Sequence, residues 1–286
     1  MRLAWLTDIH LNFLNYAQRT AFYDLILEKN PEAILITGDI SEAPKLNDVL
    51  EEMGDYLNVG INKTGYHRPI YFVLGNHDFY HSSIKSVREN IIEIAGGYLK
   101  YLRDSLPVYL TKSTSLIGID CFADGRAGNY HTTRIRMNDH SFIEEFNHAR
   151  ICSNNDLLKE MQEQSEGDNA ELLLTMYALK QGEMPKNLII MMHVPPFEEC
   201  CLYGNKKSDA DFLPFYCSVK TGEILLSIAE KHPETNFLVL CGHTHSKAIY
   251  QPLPNLTVRV GEAEYTEPRI NMLEIKEDGA IVFDDE

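Results

Sequence analysis

Apolar runs along the chain are short, and they stop abruptly at residues able to bind a metal ion. Residues 3–6 lead into Asp8 and His10, 33–36 into Gly38 and Asp39, and 70–74 into Gly75, Asn76, His77 and Asp78. Residues 188–192 lead into His193, and 237–240 into Gly242, His243, Thr244 and His245. Each run has the length of a buried strand, lacks strict polar alternation and carries many β-branched or large apolar residues. Between several of them apolar positions fall at helical spacing: 17–29, closed by Asn30 and Pro31, then 46–57, 84–103 and 224–231. Strands alternating with helices predict an α/β sheet. In such sheets functional groups gather beyond the carboxyl ends of the strands. All five runs deliver their polar residues at that end, so positions distant in sequence are expected to converge on one site.

Two segments depart from the alternation. Residues 121–148 follow an expected strand at 116–119 and hold a Gly-rich stretch containing Arg126 and Asn129, with Arg134 and Arg136 beyond it. Residues 194–222 open with Val194, Pro195, Pro196 and Phe197 and contain Gly204, Asn205, Lys206 and Lys207. Both read as long loops or short irregular helices, where substrates are often gripped. From 249 to 283, short alternating runs separated by turn residues predict closing antiparallel strands. No internal repeat or low-complexity linker interrupts the chain. Residues 1–286 therefore read as one domain with substrate-proximal insertions near 121–148 and 194–222. Asp8 and His10 cut short the first apolar run, so it reads as a first strand and not as a signal peptide. No stretch approaches the apolar length of a membrane span.

Composition narrows the function. With 26 Lys and Arg against 42 Asp and Glu, the net charge is −16, which disfavours binding along a nucleic-acid polymer. A small phosphate ester stays compatible, because bound divalent cations reverse the local potential. The six cysteines, Cys121, Cys152, Cys200, Cys201, Cys217 and Cys241, form neither a disulfide framework nor paired C-x-x-C knuckles. They read as reduced thiols of a cytoplasmic protein, and Cys241 as a buried small residue, not a nucleophile.

The residues at the strand ends are two aspartates, one asparagine and several histidines. This nitrogen and oxygen set suits Mn, Fe or Zn better than Mg alone. In an extended segment residues i and i+2 project the same way, so Asp8 with His10, and His243 with His245, can each serve one cavity. The series Asp8-Ile9-His10, Gly38-Asp39, Gly75-Asn76-His77-Asp78, His193 and Gly242-His243-Thr244-His245 resembles the five-block signature of the calcineurin-like metallophosphoesterases. The blocks run in that family's order over most of the chain.

The resemblance implies an α/β fold, a four-layer αββα sandwich of two mixed β-sheets packed face to face with helices on both outer sides. It implies two divalent metal ions, with Asp8, His10 and His245 on the first, Asn76, His193 and His243 on the second, and Asp39 bridging. A shared carboxylate is reasonable because cations about 3.5–4 Å apart repel one another. His77 would face the substrate phosphate, stabilising its charge or protonating the leaving oxygen. Asp78 would hold the His77 imidazole; its other reading is a turn residue exposed to water. Gly38, Gly75 and Gly242 would permit sharp turns at the strand tips. The reaction implied is attack on phosphorus by a metal-bridging hydroxide, with no protein nucleophile.

Arg126 and Asn129 are the candidate substrate residues, since guanidinium matches phosphate geometry; Arg134 and Arg136 read as a solvated patch. His67, His140, His148 and His232 read as surface or hydrogen-bonded residues, and neither His81 nor His131 is expected to be essential. The favoured function is hydrolysis of a small soluble phosphate monoester or diester such as a nucleotide. A phosphoprotein phosphatase is the alternative, although Gly38-Asp39-Ile40-Ser41-Glu42 and Asp78 depart from that branch's blocks. The net charge speaks against a DNA nuclease. A non-catalytic protein-binding scaffold would be expected to have lost ligands, and here every position is filled.

Overall fold

The computed structural model describes residues 1–59, 67–103, 105–180 and 184–284. Two six-stranded sheets form its centre. In the first, β1 (Arg2–Leu6), β2 (Ala33–Thr37), β3 (Ile70–Val73) and β4 (Leu99–Tyr101) lie parallel in that order. In the second, β6 (Thr114–Gly118), β7 (Asn187–Met191), β10 (Asn236–Cys241) and β12 (Leu256–Val260) are parallel. Antiparallel β5 (Val108–Tyr109) and β11 (Ala248–Leu253) close its two edges. The first sheet is completed beside β1 by the antiparallel hairpin of β13 (Asn271–Ile275) and β14 (Ile281–Phe283). The closing strands expected at 249–283 are thus divided between the sheets, and β12 runs parallel to its inner neighbour β10.

Strand parity shows how the layers pack. Alternate side chains of a strand point to opposite faces. Leu3 and Trp5 of β1, Ala33 and Leu35 of β2, Ile189 and Met191 of β7, and Leu238 and Leu240 of β10 share one apolar cluster, the layer between the sheets. The other parity, Ala4, Leu6, Ile34, Ile36, Ile190, Val239 and Cys241, packs with residues of the helices. Both faces of the central strands are covered, which is why the runs are continuously apolar. Trp5 places its indole nitrogen in this dry layer and donates to Thr37 Oγ1 at 3.0 Å.

Helices α1 (Tyr16–Lys29), α2 (Ala43–Asn58) and α3 (Ile84–Ile94) cover the first sheet. Asn15 and Gln18 form a capping box at the start of α1, and Asn30 closes it in the left-handed conformation. The helix expected over 84–103 ends at Ile94. Gly96 and Gly97 break it, Gly97 at φ 52°, and the remaining apolar residues become the edge strand β4. Past β6 come α4 (Asp139–Phe142), α5 (Glu144–Cys152) and the 27-residue α6 (Asn154–Lys180). A small hairpin of β8 (Leu202–Tyr203) and β9 (Lys206–Lys207) precedes α7 (Leu213–Tyr216) and α8 (Val219–Lys231). Among the described residues no helix is long and apolar enough to cross a membrane. The six cysteines are free thiols, and all but Cys152 are buried.

Candidate metal centre

The polar residues that end β1, β2, β3, β7 and β10 meet at one end of the sandwich. They do not reach it by strand pleat, as the i, i+2 spacing suggests. Asp8, His10, Asp39, His243 and His245 all adopt left-handed backbone conformations, at φ 50°, 41°, 53°, 72° and 55°. Non-glycine residues rarely occupy this region, and each instance costs on the order of 1 kcal/mol or more. The glycines between them act differently from one another. Gly38 itself sits at φ 85°. A Cβ on Gly75 would collide with the Asp39 carboxylate, and one on Gly242 with Thr7 and Asp8. Those two glycines allow close approach, not a turn.

Two groups of donor atoms result. In the first, one donor atom each from Asp8, His10, Asp39 and His245 lies within 4.8 Å of every other. Asp8 accepts from the His243 amide through both oxygens, at 3.0 and 3.1 Å, and from Thr7 Oγ1 at 2.6 Å. His245 Nε2 stands 3.3 Å from Asp8 Oδ1. In the second group, Asn76 Oδ1 lies 2.9 Å from both His193 Nε2 and His243 Nδ1. Asp39 faces both groups: its Oδ2 is 3.8 Å from His10 Nε2 and its Oδ1 is 3.4 Å from His193 Nε2.

Proton accounting tests whether the second group suits a cation. His193 Nδ1 is 2.8 Å from the Thr37 carbonyl and His243 Nε2 is 2.9 Å from the Phe215 carbonyl. A carbonyl only accepts, so those ring nitrogens carry the protons. Asn76 Nδ2 lies 2.9 Å from Asp139 Oδ1, which fixes the amide with its oxygen toward the histidines. Burial lowers the pKa of His193, and burial together with His193 brings that of His243 to about 4, so both rings are neutral. Three lone pairs then converge within hydrogen-bond distance with no proton among them. A divalent cation fits such a set, and it binds histidine in this neutral form. Burial and the neighbouring His77 likewise hold His10 near 2.

The carboxylates are pushed apart. Burial raises Asp39 well above the usual range, and the adjacent Asp8 adds to it. Burial opposes ionisation of Asp8 too, but His245, which hydrogen-bonds it and whose own pKa is raised, counters that and Asp8 is held low. Two buried acids this close cannot both ionise cheaply without a cation.

His77 lines the cleft over this centre. Its amide donates to Asp39 Oδ1 at 2.9 Å, its ring stacks on Tyr80 with centroids 4.2 Å apart, and Nε2 is 3.9 Å from Asp39 Oδ2. Burial depresses its pKa to about 4. Asp78 does not hold this ring, nor is it exposed to water. Its Oδ1 accepts from the amides of Ile40 and Ser41 and its Oδ2 from that of Gly75, all at 2.8 Å. Both oxygens are engaged with backbone, so Asp78 ties the Asp39 loop to the Asn76 loop, and His77 Nδ1 is buried without a hydrogen-bond partner among the described residues.

Arg126 and Asn129 are also placed elsewhere. Arg126 pairs with Asp124 at 3.2 Å and Glu166 at 2.9 Å, and Asn129 donates to Asp211 at 3.3 Å. Neither lines the cleft, which encloses about 310 Å³. Acidic neighbours on α6 and in the second insertion take up the groups that a phosphate would need.

Other residues at the site went unseen in the sequence. Asp139, from the first insertion, orients Asn76 and also accepts from the Tyr80 hydroxyl at 2.5 Å. Asp120 accepts from the Leu74 amide at 2.9 Å, from Arg88 Nε at 2.9 Å and from the Tyr101 hydroxyl at 2.7 Å. Asp168 of α6 accepts from Arg88 at 2.8 Å, from Arg103 at 3.2 Å and from the Cys121 amide at 3.0 Å. This buried charge network braces the strand end that delivers Asn76. No local motif marks Asp120, Asp139 or Asp168, because the partners named here lie 19 to 80 residues away.

The sequence profile of the calcineurin-like phosphoesterases matches residues 1–247. The chain belongs to that family and is a metal-dependent phosphoester hydrolase. A search by sequence among curated proteins finds no match. Among solved structures, the fold is shared with a dimetal phosphatase from Danio rerio, at 13% identity and TM-score 0.55 over 97% of this chain and 93% of that one. It is also shared with the protein TT1561 of Thermus thermophilus, at 12% identity and TM-score 0.53 over 99% and 97%. A Staphylococcus aureus protein assigned as a 5'-nucleotidase matches at 11% identity and TM-score 0.51; this chain spans 53% of its length.

Proposed function

We propose that the protein hydrolyses a small soluble phosphate ester at a centre of two divalent metal ions, with Mn, Fe or Zn as the ions its donors suit. Asp8, His10 and His245 would hold one ion and Asn76, His193 and His243 the other, with Asp39, which faces both groups, shared between them. The observation that carries this reading is the unprotonated trio of Asn76 Oδ1, His193 Nε2 and His243 Nδ1, mutually arranged at 2.9 Å about the amide oxygen. Two divalent cations bound there would offset phosphoryl charge and lower the pKa of water.

The chain's own residues prepare that chemistry. The Thr37 and Phe215 carbonyls aim the two imidazoles, and Asp139 aims the amide. His77, held by the Asp39 carboxylate and by Tyr80, presents its ring to the cleft. Its lowered pKa favours a neutral hydrogen-bond donor to the phosphoryl oxygens over a proton donor to the leaving group. Asp78 supports the reading by fixing the two loops that carry Asp39 and Asn76. One domain spans the chain in this reading, and the free thiols suit a cytoplasmic, reducing setting.

The test is reconstitution of stripped protein with Mn²⁺, with metal counted by elemental analysis and 4-nitrophenyl esters as substrates. About two ions per chain and metal-dependent turnover are expected. Asp39→Asn and His77→Ala should each lower kcat at least a hundredfold, with metal lost only in the first. Turnover unaffected by Asp39→Asn, or the absence of turnover with every ion, would refute the assignment.

A further inference from the structure

The two donor groups are braced in different ways. In the second, a backbone carbonyl meets the outward nitrogen of each imidazole, Thr37 at His193 Nδ1 and Phe215 at His243 Nε2. The first group has no such brace. His10 turns Nε2 toward Asp39 Oδ2 and His245 Nε2, at 3.8 and 3.4 Å, and its Nδ1 is buried with no hydrogen-bond partner among the described residues. His245 likewise turns Nε2 to Asp8, at 3.3 Å, and no carbonyl among the described residues meets its ring. A hydrogen bond on the far nitrogen is what ordinarily fixes the orientation of a metal-binding imidazole. Without one, packing has to fix the plane of the ring.

Tyr265 supplies that packing. Its ring lies 4.7 Å from His10 at an interplanar angle of 36° and 5.0 Å from His245 at 55°, so one side chain packs against both imidazoles. Phe13 stands edge-on to it at 5.5 Å. The segment that carries it, 261–270, joins β12 of the second sheet to β13 of the first, and it is pinned to the site. The Gly261 amide donates to the Cys241 carbonyl at 2.9 Å, the Ala263 amide donates to the His245 carbonyl at 3.3 Å, and Arg269 pairs with Glu262 across the segment. A Cβ on Gly261 would collide with Thr7, so the backbone here runs hard against the loop of Asp8. Tyr265 is 43% exposed and lies beyond residue 247, where the family profile ends. We infer, resting on the two-metal reading above, that Tyr265 is the positioning residue of the first metal site, its ring holding the His10 and His245 imidazoles with their Nε2 atoms turned toward Asp39 and Asp8. The two sites are then unequal in kind. Hydrogen bonds fix the imidazoles of the second, and aromatic packing from outside the family-matched segment fixes those of the first.

Calorimetric titration of Mn²⁺ into the stripped protein reads the two sites independently of catalysis. The wild type should bind two ions per chain. In Tyr265→Ala one ion should bind about tenfold more weakly, or worse, and the other as in the wild type. Tyr265→Phe keeps the ring and should match the wild type. His245→Ala identifies the weakened site: it removes a first-site donor, so adding Tyr265→Ala to it should leave the affinity for the remaining ion unchanged. The melting temperature of the stripped variant shows whether Tyr265→Ala folds; if it does not, Tyr265→Leu, which keeps bulk without a flat ring, replaces it with the same expectation. Two ions bound at wild-type affinity without the ring, equal weakening of both, or Tyr265→Phe as weak as Tyr265→Ala overturns the inference while the two-metal reading stands. Fewer than two ions in the wild type overturns both.

Discussion

At the scale of single residues, the centre depends on side chains that donate a hydrogen bond on one side and leave a lone pair on the other. Asn76 is the clearest case, because an amide can face either way and only its oxygen can ligate. Asp139 settles the choice by accepting from Nδ2, and Tyr80 holds Asp139 in turn. In Asp139→Asn the partner can donate as well as accept, so Asn76 loses its fixed orientation. Metal affinity should then fall about 10–100-fold, read by calorimetric titration of metal into the stripped protein. The melting temperature of the stripped protein should change far less, which separates a positioning role from a structural one. The polar residues singled out at the strand ends do come together in the structure, but the side chains around them were misjudged. Asp78 follows His77 in the chain, yet its carboxylate turns to three amides of the neighbouring loops. Arg126 looked free for phosphate although Asp124, two residues away, pairs with it, and Glu166, 40 residues away, is invisible from its local context.

Among the elements, the five apolar runs were legible because strands buried on both faces need no polar alternation. The long helix α6 was not. Its buried positions, Leu157, Met161, Ser165, Asp168, Asn169, Leu172, Met176 and Leu179, recur at helical spacing, but three in the middle are polar. That interruption is the buried network itself: Asp168 meets Arg88 and Arg103, and Asn169 accepts from Thr221 at 2.9 Å. A pattern search for an apolar stripe reads the stripe as broken where function required a charge. Removing that charge leaves the Arg88 and Arg103 guanidinium groups to share the carboxylate of Asp120. Asp168→Ala should therefore destabilise the fold by about 3–5 kcal/mol, seen as a lower urea midpoint. Arg88 packs over Phe79 and Phe122, so an Arg88→Met, Asp168→Leu pair should recover much of the loss. The 84–103 segment erred in the opposite sense. Helical spacing continued past Ile94, and the Gly96-Gly97 pair that stops it carries more weight than the apolar residues beyond.

Across the whole molecule, the donor residues come from both sheets in each group. Asp8, His10 and Asp39 follow strands of the first sheet while His245 follows β10 of the second; Asn76 follows β3 while His193 and His243 follow β7 and β10. The cluster between the sheets is built mainly of apolar side chains, and the donor residues collect at one rim. An ion seated in either group therefore works as a rivet through two plates, at the end where backbone strain and buried like charges would otherwise force the plates apart. Function and cohesion are then joined mechanically: withdrawing metal with a chelator should open that seam first. Amides of 8–10, 39–41 and 242–245 should exchange with deuterium faster, while the β13–β14 hairpin at the sheet edge keeps its protection. Saturating metal at a hundred times its Kd should conversely raise global stability by about 2.7 kcal/mol, and a cell poor in such ions would hold a population of this protein already slackened at its working end.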